Sequence, residues 1–177
     1  MIFFLYGPDV WRKKQKWQEI RDRFKREVDG SAMNAVVLDG DGIEEDVLRN
    51  ILRAAPFLGK KRLVVVKNVI TQSRRKAIPD AMLKDIEHLP EYTTLVVVED
   101  QEKPKTWKNQ ASKALWEYLE KNAKKEEFKL LWGLNLEKEI KQQADGHGLA
   151  LDLKALSALA IICAGDLNQT EKDLEKL

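Results

Sequence analysis

Five short apolar runs, each of four or five residues, set the limits on what this chain can fold into. They are Ile2 to Tyr6, Ala35 to Leu38, Leu63 to Val66, Thr94 to Val98 and Phe128 to Trp132. Their apolar residues are continuous rather than alternating, which is the pattern of strands buried on both faces of a parallel sheet. Helical spacing fills the gaps between them. Val10 to Val28 carries Trp17, Ile20, Phe24 and Val28 at intervals of three and four, and Ile43 to Leu52 carries Val47, Leu48, Ile51 and Leu52. Ile78 to Leu89 and Ala111 to Leu119 behave alike. Strand and helix alternate, so the expectation is an α/β domain of three layers around a five-stranded parallel sheet.

The texture changes after Trp132. Three helical segments follow, Leu136 to Ala144, Leu153 to Ala164 and Leu167 to Leu177, broken by Asp145-Gly146-His147-Gly148 and by Gly165-Asp166. They predict a small helical bundle after a boundary near Gly133, dividing the chain into 1–133 and 134–177.

With 44% apolar and 34% charged residues the composition is that of a core-forming protein rather than a disordered one. The net charge of +2 does not by itself point to nucleic acid. Basic runs at Arg12-Lys13-Lys14, Lys60-Lys61-Arg62 and Arg74-Arg75-Lys76 read as solvated faces. The single cysteine, Cys163, lies in the apolar run Ala160 to Ala164 and reads as a buried thiol in a reducing compartment. No run approaches the ~20 apolar residues that cross a bilayer, and the amino terminus lacks a basic leader segment. No membrane partner and a cytoplasmic location are expected.

Sites on α/β sheets lie at the carboxyl ends of strands. After the first run the chain reads Tyr6-Gly7-Pro8-Asp9-Val10-Trp11-Arg12-Lys13. A phosphate loop needs a second glycine, then a lysine and a hydroxyl opening the helix. Read this way, only Gly7 remains, bulky Val10-Trp11 fills the position of closest approach, and the reactive lysine and hydroxyl are missing. After the third run, Lys67-Asn68 stands where a nucleotide hydrolase carries acids that hold metal. Asp39 and Asp41 after the second run, with Glu99 and Asp100 after the fourth, form the one carboxylate set for a metal, although such acids are common in turns. His88 and His147 have no ligand partner at useful spacing. No catalytic residue, cofactor or metal site is expected.

The order of parts resembles the delta subunit of the bacterial DNA polymerase III clamp loader, a AAA+ family member that has lost its own ATP site. The residues that carry the resemblance are Phe4-Leu5-Tyr6-Gly7-Pro8-Asp9, Leu38-Asp39-Gly40-Asp41, the stretch Ala55-Pro56-Phe57-Leu58-Gly59-Lys60-Lys61-Arg62-Leu63-Val64-Val65-Val66-Lys67-Asn68, and Gly165-Asp166-Leu167-Asn168 with Leu174 to Leu177. The resemblance implies a AAA+-like α/β domain followed by a three-helix lid. It also implies a third, helical collar domain absent from this sequence, which makes the chain an expected fragment of the first two domains. Asn168 stands where such lids present an arginine to nucleotide.

The function implied is mechanical: delta-like subunits bind a ring-shaped sliding clamp and open it for DNA replication, without hydrolysing ATP themselves. The implied partners are that clamp (beta), the other loader subunits and, within the assembled loader, primed DNA. The implied clamp contact is an apolar tip that matches Ala54, Pro56, Phe57 and Leu58. The residues agree independently: Pro56 ends the helix before it, Gly59 is expected to turn the chain into the third strand, and Lys60, Lys61 and Arg62 place charge behind Phe57 and Leu58. Two other readings remain open at this point. One is a metal-dependent nuclease or phosphotransferase using Asp39, Asp41, Glu99 and Asp100; the other is a stand-alone DNA- or protein-binding module.

Overall fold

The computed structural model describes residues 1–30, 33–73, 75–163 and 165–176. Arg74 of the third basic run, Ala164 of the cysteine-bearing run and Leu177 at the end of the last helical segment lie outside the described residues. The chain alternates β1 (Ile2–Tyr6), α1 (Val10–Glu27), β2 (Ala35–Asp39), α2 (Glu45–Arg53), β3 (Arg62–Lys67), α3 (Ile78–Ile86), β4 (Thr93–Glu99), α4 (Gln110–Asn122) and β5 (Lys124–Glu127). Three helices follow: α5 (Leu134–Gly146), α6 (Leu153–Cys163) and α7 (Leu167–Leu174).

The strands form one parallel sheet in the order β2-β3-β4-β1-β5. Successive side chains on each central strand point to opposite faces, and each face has its own core. Phe4, Val64, Val66, Leu95 and Val97 pack beneath α2, α3 and α4 on Leu48, Leu52, Ile78, Met82, Leu115, Trp116 and Leu119. Leu5, Leu63, Val65, Val96 and Val98 pack under α1 on Trp17 and Phe24. Both-face burial holds for β3 and β4, whereas β2 is half exposed at the sheet edge.

The fifth strand is not where the apolar runs place it. The residues paired with β1 are Lys124 to Glu127, from Phe3 opposite Lys124 to Tyr6 opposite Glu127, and all four are exposed. This edge strand is held by its backbone bonds to β1 and buries no side chain on either face, so no apolar periodicity marks it. Its charges also discourage pairing with another chain. Phe128, expected to begin that strand, instead follows it. Its amide donates to the Tyr6 carbonyl at 2.7 Å and its ring is buried beneath α1.

Helices α5 to α7 close on a third, separate core of Leu136, Ile140, Leu156, Cys163 and Leu167, against which Trp11 of α1 packs. Cys163 is buried as expected, while its neighbours Ile161 and Ile162 face solvent. Trp11 also donates its indole N–H to the Glu171 carboxylate at 2.8 Å, tying α1 to α7.

Trp116 is the largest fully buried side chain. Its ring meets Phe4 edge-on at 4.9 Å, Tyr6 at 5.1 Å and Trp107 at 5.7 Å between centroids. Trp116→Ala is expected to lower the unfolding free energy by about 3–5 kcal/mol, the range for large aromatic deletions. A urea titration checks this, and an unshifted midpoint would contradict the packing described.

Candidate functional site: a blocked phosphate loop and an apolar tip

The loop from β1 to α1 has the outline of a phosphate loop, but its donors are committed elsewhere. The Gly7 amide reaches the carbonyls of Glu99 and Gln101, both at 3.2 Å, and the Asp9 amide donates to the Phe128 carbonyl at 3.0 Å. Pro8 has no amide hydrogen. Asp9 caps α1 by accepting from the Arg12 amide at 2.9 Å. Glycine is required at position 7 twice over: its φ is 121°, and a Cβ there would stand 2.4 Å from the Phe128 carbonyl oxygen. A cleft of about 280 Å³ separates this loop from the start of α7, lined by Pro8 to Trp11, Leu130 and Gly165 to Asn168. No lysine or arginine is among these described lining residues.

One sequence expectation needs correction here. A lysine is present at the spacing of a phosphate loop: Lys13 follows Gly7 by six residues, with Arg12 in place of the second glycine and Lys14 in place of the hydroxyl. Lys13 is not a solvated residue either, being 1% exposed. Its ammonium donates to the Glu99 carbonyl and to Asp100 Oδ1, both at 2.7 Å. Burial pushes its pKa down, and the Asp100 partner opposes that shift. The group that would reach a phosphate is thus bonded to the end of β4.

Three of the four carboxylates that the sequence offers as a metal set have separate tasks. Asp39 Oδ1 accepts from the Asp41 amide at 3.1 Å, an ordinary turn bond at the end of β2. Glu99 is fully buried and accepts from the Ile70 amide at 2.7 Å, the Thr71 amide at 3.0 Å and the Thr71 hydroxyl, which fixes the β3–α3 loop. Burial raises its pKa against those three bonds. Asp100 accepts from Lys13 and, at 2.8 Å, from Asn68. Burial alone would raise the Asp100 pKa, but hydrogen bonds from Lys13 and Asn68 with the charges of Lys13 and Lys67 hold it below the ordinary value. Lys67 itself lies 4.4 Å from the centroid of the Trp17 ring.

The apolar tip sits at the opposite, amino-terminal edge of the sheet. Helix α2 ends at Arg53, and Ala54 is extended with φ −60° and ψ 134°. Ala54 and Pro56 are half-buried, whereas Phe57 is 61% and Leu58 93% exposed. Polar groups at the starts of three strands hold the backbone of this segment. The Arg62 guanidinium donates to the Ala54 carbonyl at 3.0 Å, the Tyr92 hydroxyl to the Arg53 carbonyl at 2.8 Å, and the Thr93 hydroxyl to the Leu52 carbonyl at 3.3 Å. These satisfy carbonyls that the helix end leaves without partners. Asn34, just before β2, accepts from the Phe57 amide at 2.6 Å and donates to the Phe57 carbonyl at 2.9 Å. Arg53 also pairs at 2.7 Å with Asp85 of α3.

Two expectations about the tip change. Arg62 does not add to the exposed charge behind Phe57; it is 8% exposed and bonds inward. Gly59 is not the residue that turns the chain through the left-handed region: that residue is Leu58, with φ 49°. Gly59 instead leaves room for the Asn34 side chain: a Cβ at 59 would come to 3.0 Å from Asn34 Nδ2, a tight approach that the asparagine would have to relieve by shifting a few tenths of an ångström. Nothing local in the sequence marks Asn34, Tyr92 or Thr93, which lie 23 or more residues from the backbone groups they hold. Lys13, by contrast, was legible from its distance to Gly7.

A parallel sheet of this order, with helices on both faces and a helical bundle beside a disarmed phosphate loop, defines a AAA+-like module. The model of the family "DNA polymerase III, delta subunit" matches residues 3–129, and the chain belongs to that family. Among solved structures it is similar to the Bacillus subtilis DNA clamp loader delta protein (TM-score 0.61, 23% identity, 99% of this chain and 52% of that one). It is also similar to a replication initiator DnaA bound to AMPPCP and single-stranded DNA (TM-score 0.71, 13% identity, 98% and 54%). A DNA polymerase III gamma subunit-related protein of Thermotoga maritima has a TM-score of 0.54 at 13% identity, over 99% of this chain and 53% of that one. These likenesses establish the fold, and the chain spans about half the length of each of these proteins. No curated protein sequence matches it.

The Lys13–Asp100 pair gives a stability test. Lys13→Ala is expected to cost about 2 kcal/mol, in the range for hydrogen bonds to charged groups, read by urea unfolding at neutral pH. The folded-state pKa of Asp100 lies below its ordinary 3.8. Its stabilisation is therefore present above that value and is lost as pH falls through the folded-state value. Asp100→Asn should accordingly lose less stability than the unsubstituted protein as pH falls below 3.8. Parallel acid limbs would contradict the assignment.

Proposed function

We propose that this chain is the clamp-engaging portion of a clamp-loader delta subunit, binding a ring-shaped DNA sliding clamp through Ala54, Pro56, Phe57 and Leu58. The observation that carries the reading is the outward presentation of Phe57 and Leu58, adjacent large apolar side chains in water on a backbone fastened at both ends. Membership of the delta family supports it. Lys60 and Lys61, both exposed, flank the tip. The partner surface is thus an apolar pocket.

Seating one aromatic side chain in such a pocket contributes roughly 1.5–3 kcal/mol, and anchors of this kind commonly dominate an interface. Binding biases the clamp toward an opened interface only by its difference in affinity for the two clamp states. Work from ATP enters through other loader subunits, because the donors of this chain's own phosphate loop are occupied by Glu99, Gln101 and Phe128. The proposal includes a division at 1–133 and 134–177, the second part acting as a lid, and a cytoplasmic setting alongside primed DNA. No helix among the described residues is long and apolar enough to cross a membrane.

The test is binding to the sliding clamp of the same organism. Phe57→Ala is expected to weaken binding at least tenfold, about 1.4 kcal/mol or more, with the circular dichroism spectrum unchanged. Equal binding by variant and unsubstituted protein would overturn the reading.

A further inference from the structure

The exposed tip raises a physical problem. A pair of large apolar side chains on a link outside any helix or strand has no reason to stay outward or to hold one shape. Left to itself, such a segment samples many conformations and must lose that freedom on binding. Here the link is already fixed, and the group that fixes it is not part of the link.

All four hydrogen-bonding groups of Asn34 are committed. Its backbone amide donates to the Asp29 carboxylate at 2.8 Å, and its backbone carbonyl accepts from the Leu63 amide at 2.8 Å. Those two bonds fix where its side chain starts. The side-chain oxygen then accepts from the Phe57 amide, and the side-chain nitrogen donates to the Phe57 carbonyl, as a neighbouring strand would. Asn34 is 4% exposed, so these bonds are shielded from water on the asparagine side while the Phe57 ring projects on the other.

The surrounding residues fit that clamp. Leu58 occupies the left-handed region, which a residue with a Cβ adopts at a cost unless the structure around it enforces it. Gly59 leaves the space that the Asn34 amide nitrogen occupies, with only 3.0 Å to a Cβ placed there. A polar side chain buried at an edge and spending both ends on the N–H and C=O of one exposed apolar residue, which flank its Cα in two successive peptide groups, stabilises one shape of that residue's backbone.

We propose that Asn34 is the positioning residue of the tip, holding the Phe57 backbone so that Phe57 and Leu58 are presented in their binding conformation before the partner arrives. The inference rests on the clamp-binding reading of Phe57 and Leu58. Asn34 touches no partner itself. Its contribution is to remove, in the free protein, the ordering that binding otherwise requires.

The test uses Asn34→Ala, Phe57→Ala and the double variant, each measured for clamp affinity, with amide hydrogen exchange at Phe57 followed in Asn34→Ala and the unsubstituted protein. Asn34→Ala is expected to speed Phe57 amide exchange at least tenfold and to weaken clamp binding at least fivefold. The double variant is expected to bind within twofold of Phe57→Ala alone, since a positioned group that is gone cannot be mispositioned. Should Asn34→Ala fold poorly, Gly59→Ala crowds Asn34 Nδ2 from outside, and faster exchange at position 57 with weaker clamp binding is expected from it, each by less than for Asn34→Ala.

Unchanged Phe57 exchange in Asn34→Ala overturns the inference. So does faster exchange with unchanged affinity while Phe57→Ala weakens binding, and so does a fully additive double variant, which would be the mark of a general loss of stability. If Phe57→Ala itself binds normally, the clamp reading has failed, and the positioning role falls with it.

Discussion

The buried centre of a parallel sheet has to satisfy its polar ends without water, and strand β4 shows how the rest of the molecule is arranged around that need. It lies between β3 and β1 with both faces covered. At its carboxyl end Glu99 and Asp100 collect the amides of Ile70 and Thr71, the side chain of Asn68 and the ammonium of Lys13. At its amino end Tyr92 and Thr93 take up the last carbonyls of α2. An unpartnered polar group at either place would cost more than the bond itself contributes, because it would be desolvated with nothing in return.

The two ends of the sheet thereby acquire different characters. At the carboxyl edge, the usual ligand edge of α/β folds, the bonds close the site: loop amides reach carbonyls, the Phe128 backbone sits against Gly7, and Lys13 is buried. At the amino edge the bonds point the other way in effect. They anchor backbone and leave side chains outside, so Phe57 and Leu58 remain in water although the apolar residues of β3 and β4 are buried. On the function proposed above, the AAA+-like frame supports a contact surface at this edge.

The central strands and the helices of both layers were legible in the sequence because burial on two faces demands runs of Leu, Val and Phe, and burial on one face demands spacing of three and four. The exposed edge strand was not legible: Lys124 to Glu127 pairs through its backbone alone, and its side chains carry no burial signal. Similarly, the tip residues Pro56, Phe57 and Leu58 were readable from helix-ending chemistry and from family resemblance. Arg62 and Lys13, counted there as solvated charge, turned inward because each met a polar partner from a distant element.

The sequence by itself determined the layered α/β frame, the helical segments after Trp132 and the position of an apolar segment between α2 and β3, since these follow from periodicity and from proline within a few residues. Only the tertiary structure decided that Lys13 is bound to Asp100, that Leu58 rather than Gly59 takes the left-handed turn, and that Asn34 grips Phe57 from 23 residues away. Such bonds depend on how strands lie side by side, and a hydrogen bond between remote residues leaves no periodicity in the chain that makes it.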